Sequence, residues 1–411
     1  MKIIIIGNGI AGVTAARTLR GKDPEVEIEI FTDEKYYYYP RPNLINFLAN
    51  QVEIDKIYMY PPEWYREKNI KVHLNKKVVK LIPAEKVIEL EDGSNVNYGK
   101  LLLAMGCNPF LPPIRGAEKK GVFTLRTLQD AIEIKKYSQS AEKAIVIGGG
   151  LLGLESAKAL KALGLKITVV EFFPRLLPRQ LDTQGAEILQ SQIESTGLKI
   201  LCGEATEEII GSEKTSGILL KSKKKIEGDL ILMAAGVRAN IKLAQEAGIK
   251  TNRGVIINEY LETNIEDIYA AGDITEFKGR VYGIIPAALD QSKIAGMNLL
   301  GREKIVYQGT TSSNTLKVVG IDLTSIGQVN PEGDEYQEIK KVDLNKGIYK
   351  KIVLKEGRIV GAIFLGDKKG INSISQLINE KIPVEKYKDQ ILEDDFDFKI
   401  IKNKIFNPKR S

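Results

Sequence analysis

The chain has 411 residues, of which 27% are charged and 43% hydrophobic, with 37 glycines and 15 prolines dispersed along it. That is enough for two or three globular domains, it excludes collagenous and disordered classes, and no apolar run approaches the ~18 residues of a membrane helix. The net charge of +7 suits an acidic partner but shows no dense basic stripe, so nucleic acid is not expected.

Two cysteines, Cys107 and Cys202, and one histidine, His73, are too few and too scattered for a disulfide scaffold, a CxxC dithiol, a zinc site or a Ser-His-Asp triad. No metal site is expected, and His73 reads as a half-exposed strand residue in IKVHL. The N-terminal apolar stretch superficially resembles a secretory signal. Glycines interrupt it at meaningful spacing, so it is read as a first strand.

In chain order, KIIII (residues 2–6) leads into Gly7-Asn8-Gly9-Ile10-Ala11-Gly12, a helix to Leu19 and a strand at Glu27–Phe31. Val78–Leu81, Val87–Leu90 and Leu101–Ala104 look like strands of a smaller sheet. AIVI (144–147) then opens a second strand, followed by Gly148-Gly149-Gly150-Leu151-Leu152-Gly153, a helix to Leu163 and a strand at Lys166–Val170. Two strand–GxGxxG–helix–strand units in one chain carry far more weight than a lone motif. Further strands follow at Lys199–Leu201, Ser216–Lys221, Asp229–Met233, Gly254–Ile257 and Ile268–Ala270, then a helix from about Pro286 to Leu300. From about Gly309 the pattern becomes α+β, with strands at Leu316–Val319, Ile348–Leu354 and Arg358–Leu365 and a helix at Ile371–Asn379. The tail from Tyr387, with Glu393-Asp394-Asp395 and then Lys402–Arg410, reads as loosely ordered.

In each unit the glycines let the backbone approach a pyrophosphate, and the helix N-terminus holds its charge. Glu171, 23 residues past Gly148, suits the two ribose hydroxyls and repels a 2′-phosphate, which favours NAD(H); Arg175 keeps NADP(H) open. In the first unit Thr32 stands at the equivalent place, and Glu34 is the candidate for the adenosine ribose. Two such sites imply two cofactors, or one cofactor and one substrate.

Tyr39-Pro40-Arg41-Pro42-Asn43-Leu44, LLLAMG (101–106) with Pro109 and Gly116, Gly236-Val237-Arg238, IYAAGD (268–273) and Pro286-Ala287-Ala288 accompany both fingerprints. With them the chain resembles the FAD- and pyridine-nucleotide-dependent reductases with two dinucleotide-binding domains. It is most similar to the branch of rubredoxin reductases, putidaredoxin-type ferredoxin reductases and the flavin portion of assimilatory nitrite reductases.

The resemblance implies an α/β fold with two Rossmann-like domains: an FAD domain (1–109 and 234–308) split around an NAD domain (110–233), then an α+β C-terminal interface domain (309–411). It implies FAD held by Gly7, Gly9, Ala11, Gly12, Glu34, Arg41, Pro42, Ala104, Gly106, Gly272, Asp273, Pro286 and Ala287. NAD would be held by Gly148, Gly150, Leu152, Gly153, Glu155, Glu171 and Gly236. Arg41 would meet Glu155, placed in the first turn of the NAD helix, near the flavin and act with it in catalysis; an ordinary salt bridge is the alternative. Residues 1–106 lack the flavin-facing cysteine of disulfide reductases, and Cys107 reads as structural. The expected function is a cytoplasmic NADH oxidoreductase passing electrons to a small acidic carrier, a rubredoxin or ferredoxin-like protein, with a homodimer as one possible assembly. A peroxide-forming NADH oxidase and a flavin-binding module without a dedicated acceptor are the alternatives.

Overall fold

The structure, a computed structural model, describes residues 1–311 and 313–401. Its internal contacts divide the chain into two compact units. The first comprises residues 1–112, 124–136 and 235–310; the second comprises 113–123, 137–234 and 311–411.

The first unit is built on a five-stranded parallel sheet in the order Ile268–Ala270, Lys100–Leu103, Lys2–Ile6, Glu27–Phe31, Ile70–His73. Ile3, Ile4 and Ile5 are fully buried. A central parallel strand covered on both faces needs such a continuous apolar run rather than an alternating one. The same reasoning explains a departure from the sequence reading. The LLL segment does not join the small sheet: Lys100–Leu103 pairs in parallel with Lys2–Ile6. It has no polar face to show to water. The small antiparallel sheet is Val78–Ile82, Val87–Leu90 and Asn95–Asn97.

Helix Ile10–Lys22 packs against helix Ile285–Leu299 through small residues. A Cβ on Gly296 would lie 3.0 Å from Thr18 Cβ and 3.1 Å from the Ala15 carbonyl oxygen. His73 stacks on Phe31 and bonds the buried Glu29 carboxylate at 2.5 Å, a structural role.

The second unit repeats the parallel plan in the order Lys199–Cys202, Lys166–Glu171, Lys143–Ile147, Leu230–Met233, Val122–Phe123. Beside it lies the antiparallel sheet Thr206–Ile210, Gly217–Leu220 and Lys225–Glu227. The C-terminal part is a five-stranded antiparallel sheet, Ser313–Val318, Ile321–Gly327, Arg358–Leu365, Ile348–Lys355, Tyr336–Asp343, against which helix Ile371–Asn379 packs.

The segment after Tyr387 is not a loose tail as far as it is described. Ile391, Leu392 and Ile401 are buried in this core, since burying three aliphatic side chains outweighs the freedom of a short acidic stretch. The expectation for Lys402–Arg410 lies outside the described residues. Among the described residues no helix is long and apolar enough to cross a membrane.

The C-terminal sheet is fastened to the Asp182 region by buried charge. Asp182 caps helix Thr183–Ser195 by accepting the Gly185 N–H, and its other oxygen accepts Tyr349 OH at 2.5 Å and Lys351 Nζ at 3.2 Å. The Lys351 side chain is only 1% exposed and also pairs with Glu338. Gln192 donates to the Gly347 carbonyl, and Asn330 to those of Pro178 and Leu181.

Candidate dinucleotide sites

Each glycine turn lies at the carboxyl end of the middle strand of its parallel sheet, where open α/β sheets bind ligands. The three glycines of each fingerprint divide their work in the same way. Gly7 and Gly148 have φ of +110° and +120°, open to glycine and strained for other residues. A Cβ on Gly12 would sit 2.0 Å from the Gly7 carbonyl oxygen, and one on Gly153 2.0 Å from that of Gly148, so these two let helix and strand touch.

Gly9 and Gly150 are different. A Cβ on either meets no protein atom within 4 Å, and their φ values of −87° and −79° suit any residue. Neither folding nor backbone geometry asks for glycine there, and the open space leaves room for a ligand to approach the backbone. Both helices lack a side-chain cap and an acidic residue in the first turn, leaving their N–H groups to an anion.

Around the first turn the structure gathers most of the residues expected to hold FAD. Ala104 lies against Gly7, and a Cβ on Gly272 would be 2.8 Å from Ala11 Cβ and 3.8 Å from Ala288 Cβ. Pro286 and Ala287 open the helix Ile285–Leu299, whose buried Gln291 accepts the Gly272 N–H at 2.8 Å and Thr275 OH at 2.9 Å. A cleft lined by Asn8, Gly9, Thr32, Glu34, the four tyrosines from Tyr36 and Arg41 runs beside the turn. Asn8 keeps a buried amide nitrogen without a partner there, a donor available to a ligand acceptor. Pro42 caps the short helix Asn43–Leu48.

Glu34 is already engaged: it accepts Arg41 Nη2 at 2.5 Å and Tyr39 OH at 2.5 Å. Arg41 also donates to Tyr39 OH and to the Arg126 carbonyl. Burial works against the Arg41 charge, yet Glu34 holds its affinity for the proton above the ordinary value. Burial pushes the Tyr39 hydroxyl well up, so it stays a neutral bridge.

Asp273 accepts the Cys107 thiol at 3.3 Å and lies 3.7 Å from Arg126, while Gly106 faces the Arg126 guanidinium. Arg126 and Gln291 escaped the sequence reading, because a lone arginine in LRTLQD and a glutamine inside a helix carry no spacing signal. Burial, then the Asp273 charge, pushes the Cys107 thiol up to about 12. A thiol so protonated is a poor nucleophile. Wild-type Cys107 is therefore expected to react with a thiol reagent only on unfolding, and modification of the folded protein at the rate of a free thiol would show otherwise.

In the second unit, Glu171 turns back onto its own turn. Its carboxylate accepts the Gly149 N–H at 2.5 Å and the Phe173 N–H at 2.7 Å. Arg175 points Nη2 at the Pro178 carbonyl, 3.5 Å away. Leu152 stands exposed on the first turn of helix Leu151–Ala162. Glu155 is the fifth residue of that helix, one turn in rather than within the first turn. It accepts the Val319 N–H at 2.5 Å, and burial raises its proton affinity against that bond and Lys158. Arg41 and Glu155 thus each have partners within their own unit. Gly236, expected with the NAD residues, belongs to the first unit, where its carbonyl accepts the Phe110 N–H.

Comparison with known proteins accords with this geometry. A family profile described as pyridine nucleotide-disulphide oxidoreductase matches residues 1–292, and one described as the rubredoxin NAD+ reductase C-terminal domain matches residues 313–382. The chain is 38% identical over 385 residues to a nitrite reductase [NAD(P)H] of Bacillus subtilis, covering 93% of this chain but only 48% of that protein. It thus spans about half the length of that relative. It is 32% identical over 385 residues to the NADH-rubredoxin oxidoreductase of Clostridium acetobutylicum, covering 92% of this chain and 96% of that one. The solved structure of the Clostridium acetobutylicum NADH:rubredoxin oxidoreductase matches with a TM-score of 0.80 at 31% identity, covering 93% and 96% of the two chains. Putidaredoxin reductase, in its covalent complex with putidaredoxin, shares the fold at a TM-score of 0.87 and 24% identity, covering 98% of each chain. The chain belongs to the pyridine nucleotide-disulphide oxidoreductase family, oxidoreductases that depend on FAD and NAD(H).

Proposed function

We propose that this protein is an NADH-dependent reductase that binds FAD at the Gly7–Gly12 turn and NADH at the Gly148–Gly153 turn, and reduces a small iron–sulfur or rubredoxin-type carrier. The observation that carries it is the pair of glycines, Gly9 and Gly150, each at the third position of its turn with an open Cβ position where a pyrophosphate would close on the backbone. Similarity to a NADH-rubredoxin oxidoreductase along 96% of that protein supports the carrier. FAD, when bound, supplies a two-electron acceptor for the NADH hydride and a one-electron donor to the carrier.

The chain supplies positioning and charge. Helix Ile10–Lys22 offers its free N–H groups to one pyrophosphate and helix Leu151–Ala162 to the other. Asp273 accepts from ribitol hydroxyls and Glu171 from ribose hydroxyls. Glu155, held by Val319, orients the nicotinamide, and Arg41, held by Glu34, fixes a positive charge in the first site. Residues 110–233 form the NAD domain and residues 309–411 the interface domain of this reading. The setting is the cytoplasm, and light scattering tests whether the chain pairs as a homodimer.

The test is anaerobic. NADH is expected to bleach the yellow protein within seconds, and reduced protein to be reoxidised rapidly by rubredoxin or ferredoxin and slowly by air. Rapid reoxidation by air alone, with peroxide formed, would replace the carrier by oxygen, in line with the 34% identical NADH oxidase of Methanocaldococcus jannaschii. No bleaching by NADH would end the reductase reading.

A further inference from the structure

Asn8 stands between Gly7 and Gly9 in the first glycine turn and is only 8% exposed. Its amide is used on one side alone. The oxygen Oδ1 accepts the Tyr65 hydroxyl at 3.2 Å, while the nitrogen Nδ2 has no hydrogen-bond partner among the described residues. A buried donor without an acceptor is destabilising, because it has given up water and gained nothing in exchange. Asn8 lines the same cleft as Gly9, Thr32 and Glu34, where a ligand would bring the missing acceptor.

The group that holds this amide comes from outside the turn. Tyr65 lies 57 positions further along the chain, on the short helix Pro62–Glu67. It is buried, with its ring edge-on to Trp64 and tilted against Tyr37, centroids 4.9 and 5.2 Å away. A backbone hydrogen bond from Tyr38 also reaches the Tyr65 hydroxyl, and burial pushes its proton affinity well up, so it stays an O–H donor.

We propose that Tyr65 is a positioning residue of the first site, holding the Asn8 amide oxygen so that the amide nitrogen is kept as a donor for an acceptor oxygen of the bound dinucleotide. The proposal rests on the reading of the first turn as the FAD site. An asparagine amide fits its space either way round, and only the bonds it makes decide which end is donor and which is acceptor. With the Tyr65 proton on one end, only Oδ1 can occupy that end, and Nδ2 must occupy the other. Tyr65 touches no ligand in this arrangement; it acts through Asn8 alone. The orphaned nitrogen is the mark of a bond completed on binding, which strengthens flavin affinity because the flavin-free protein lacks it.

The experiment uses the full-length protein, measures FAD dissociation by the fluorescence of released flavin, and records the thermal midpoint of the flavin-free form. Asn8→Asp keeps the shape and the acceptor for Tyr65 but replaces the donor with an anionic oxygen, so it is expected to fold and to bind FAD on the order of 10- to 100-fold more weakly. Asn8→Leu is expected to weaken FAD by a similar factor. Tyr65→Phe keeps the ring packing, releases the amide, and is expected to cost about 3- to 10-fold in FAD affinity. In the Asn8→Leu background the same Tyr65→Phe change should cost less than about 2-fold, since there is no amide left to hold. Equal losses in both backgrounds overturn the positioning role, as does a lowered flavin-free midpoint with FAD affinity intact. Asn8→Asp and Asn8→Leu proteins that bind FAD within about 2-fold of the parent overturn the donor. A parent chain that takes up no FAD would instead remove the first-site reading itself and the Tyr65 role with it.

Discussion

Gly9→Val is expected to give a folded, colourless protein. A Cβ there meets no protein atom within 4 Å and the backbone is at φ −87°, so the thermal midpoint should stay close to that of the flavin-free parent. The new methyl groups fill the space against which the pyrophosphate must close, and flavin affinity should fall on the order of 100-fold, about 2.7 kcal/mol. Gly150→Val should do the same to NADH while the protein stays yellow. Gly12→Ala is the contrasting case. Its Cβ would lie 2.0 Å from the Gly7 oxygen, and forcing helix from strand costs about 1–3 kcal/mol of folding stability. Flavin absorbance per chain and a melting curve separate the two glycines. A yellow Gly9→Val protein would refute the ligand reading, as would one that melts as early as Gly12→Ala.

The second large effect lies at Asp182. Asp182→Ala removes a helix cap and strands the buried Lys351 ammonium with Glu338 alone, at a cost of about 3–5 kcal/mol. Adding Lys351→Met should recover part of that loss, because the uncompensated charge disappears with its partner. Burial alone would raise the Asp182 carboxyl, yet Tyr349, Gly185 and Lys351 together hold it below its ordinary value. A carboxyl lowered on folding contributes stability that is complete above the unfolded range near pH 4 and fades as pH falls through the lower folded value. Denaturant melts of parent and variant should therefore converge as the solution is acidified below about pH 4. A constant gap from pH 7 downward would show that the carboxylate's charge does not matter.

Much of this was legible before any coordinates. The two glycine turns, the acidic residue behind the second and the strand IYA ending in Gly272-Asp273 announce themselves, because dinucleotide binding constrains backbone and spacing along a short stretch of chain. The strand and helix bounds at Arg358–Leu365 and Ile371–Asn379 agree with the structure to the residue. What the sequence hid was long-range pairing. Nothing in LLLAMG tells a reader that its strand sits between Lys2–Ile6 and Ile268–Ala270, although its lack of alternation hints at two covered faces. Nothing in a tyrosine-rich run shows Tyr39 bridging Glu34 and Arg41. The Val319 N–H that holds Glu155 is a backbone group 164 positions away, and backbone donors leave no letter in the sequence.

The buried ammonium of Lys351 also limits how such reductases can be recombined. A chimera cut at Thr311 would import Lys351 and Tyr349 into a host with no guarantee of an aspartate at the start of the receiving helix. The crossover should instead run upstream of Leu181, or carry the Asp182 helix along as a second insert. Engineers exchanging C-terminal modules would then keep the sheet seated while changing what it presents to the outside.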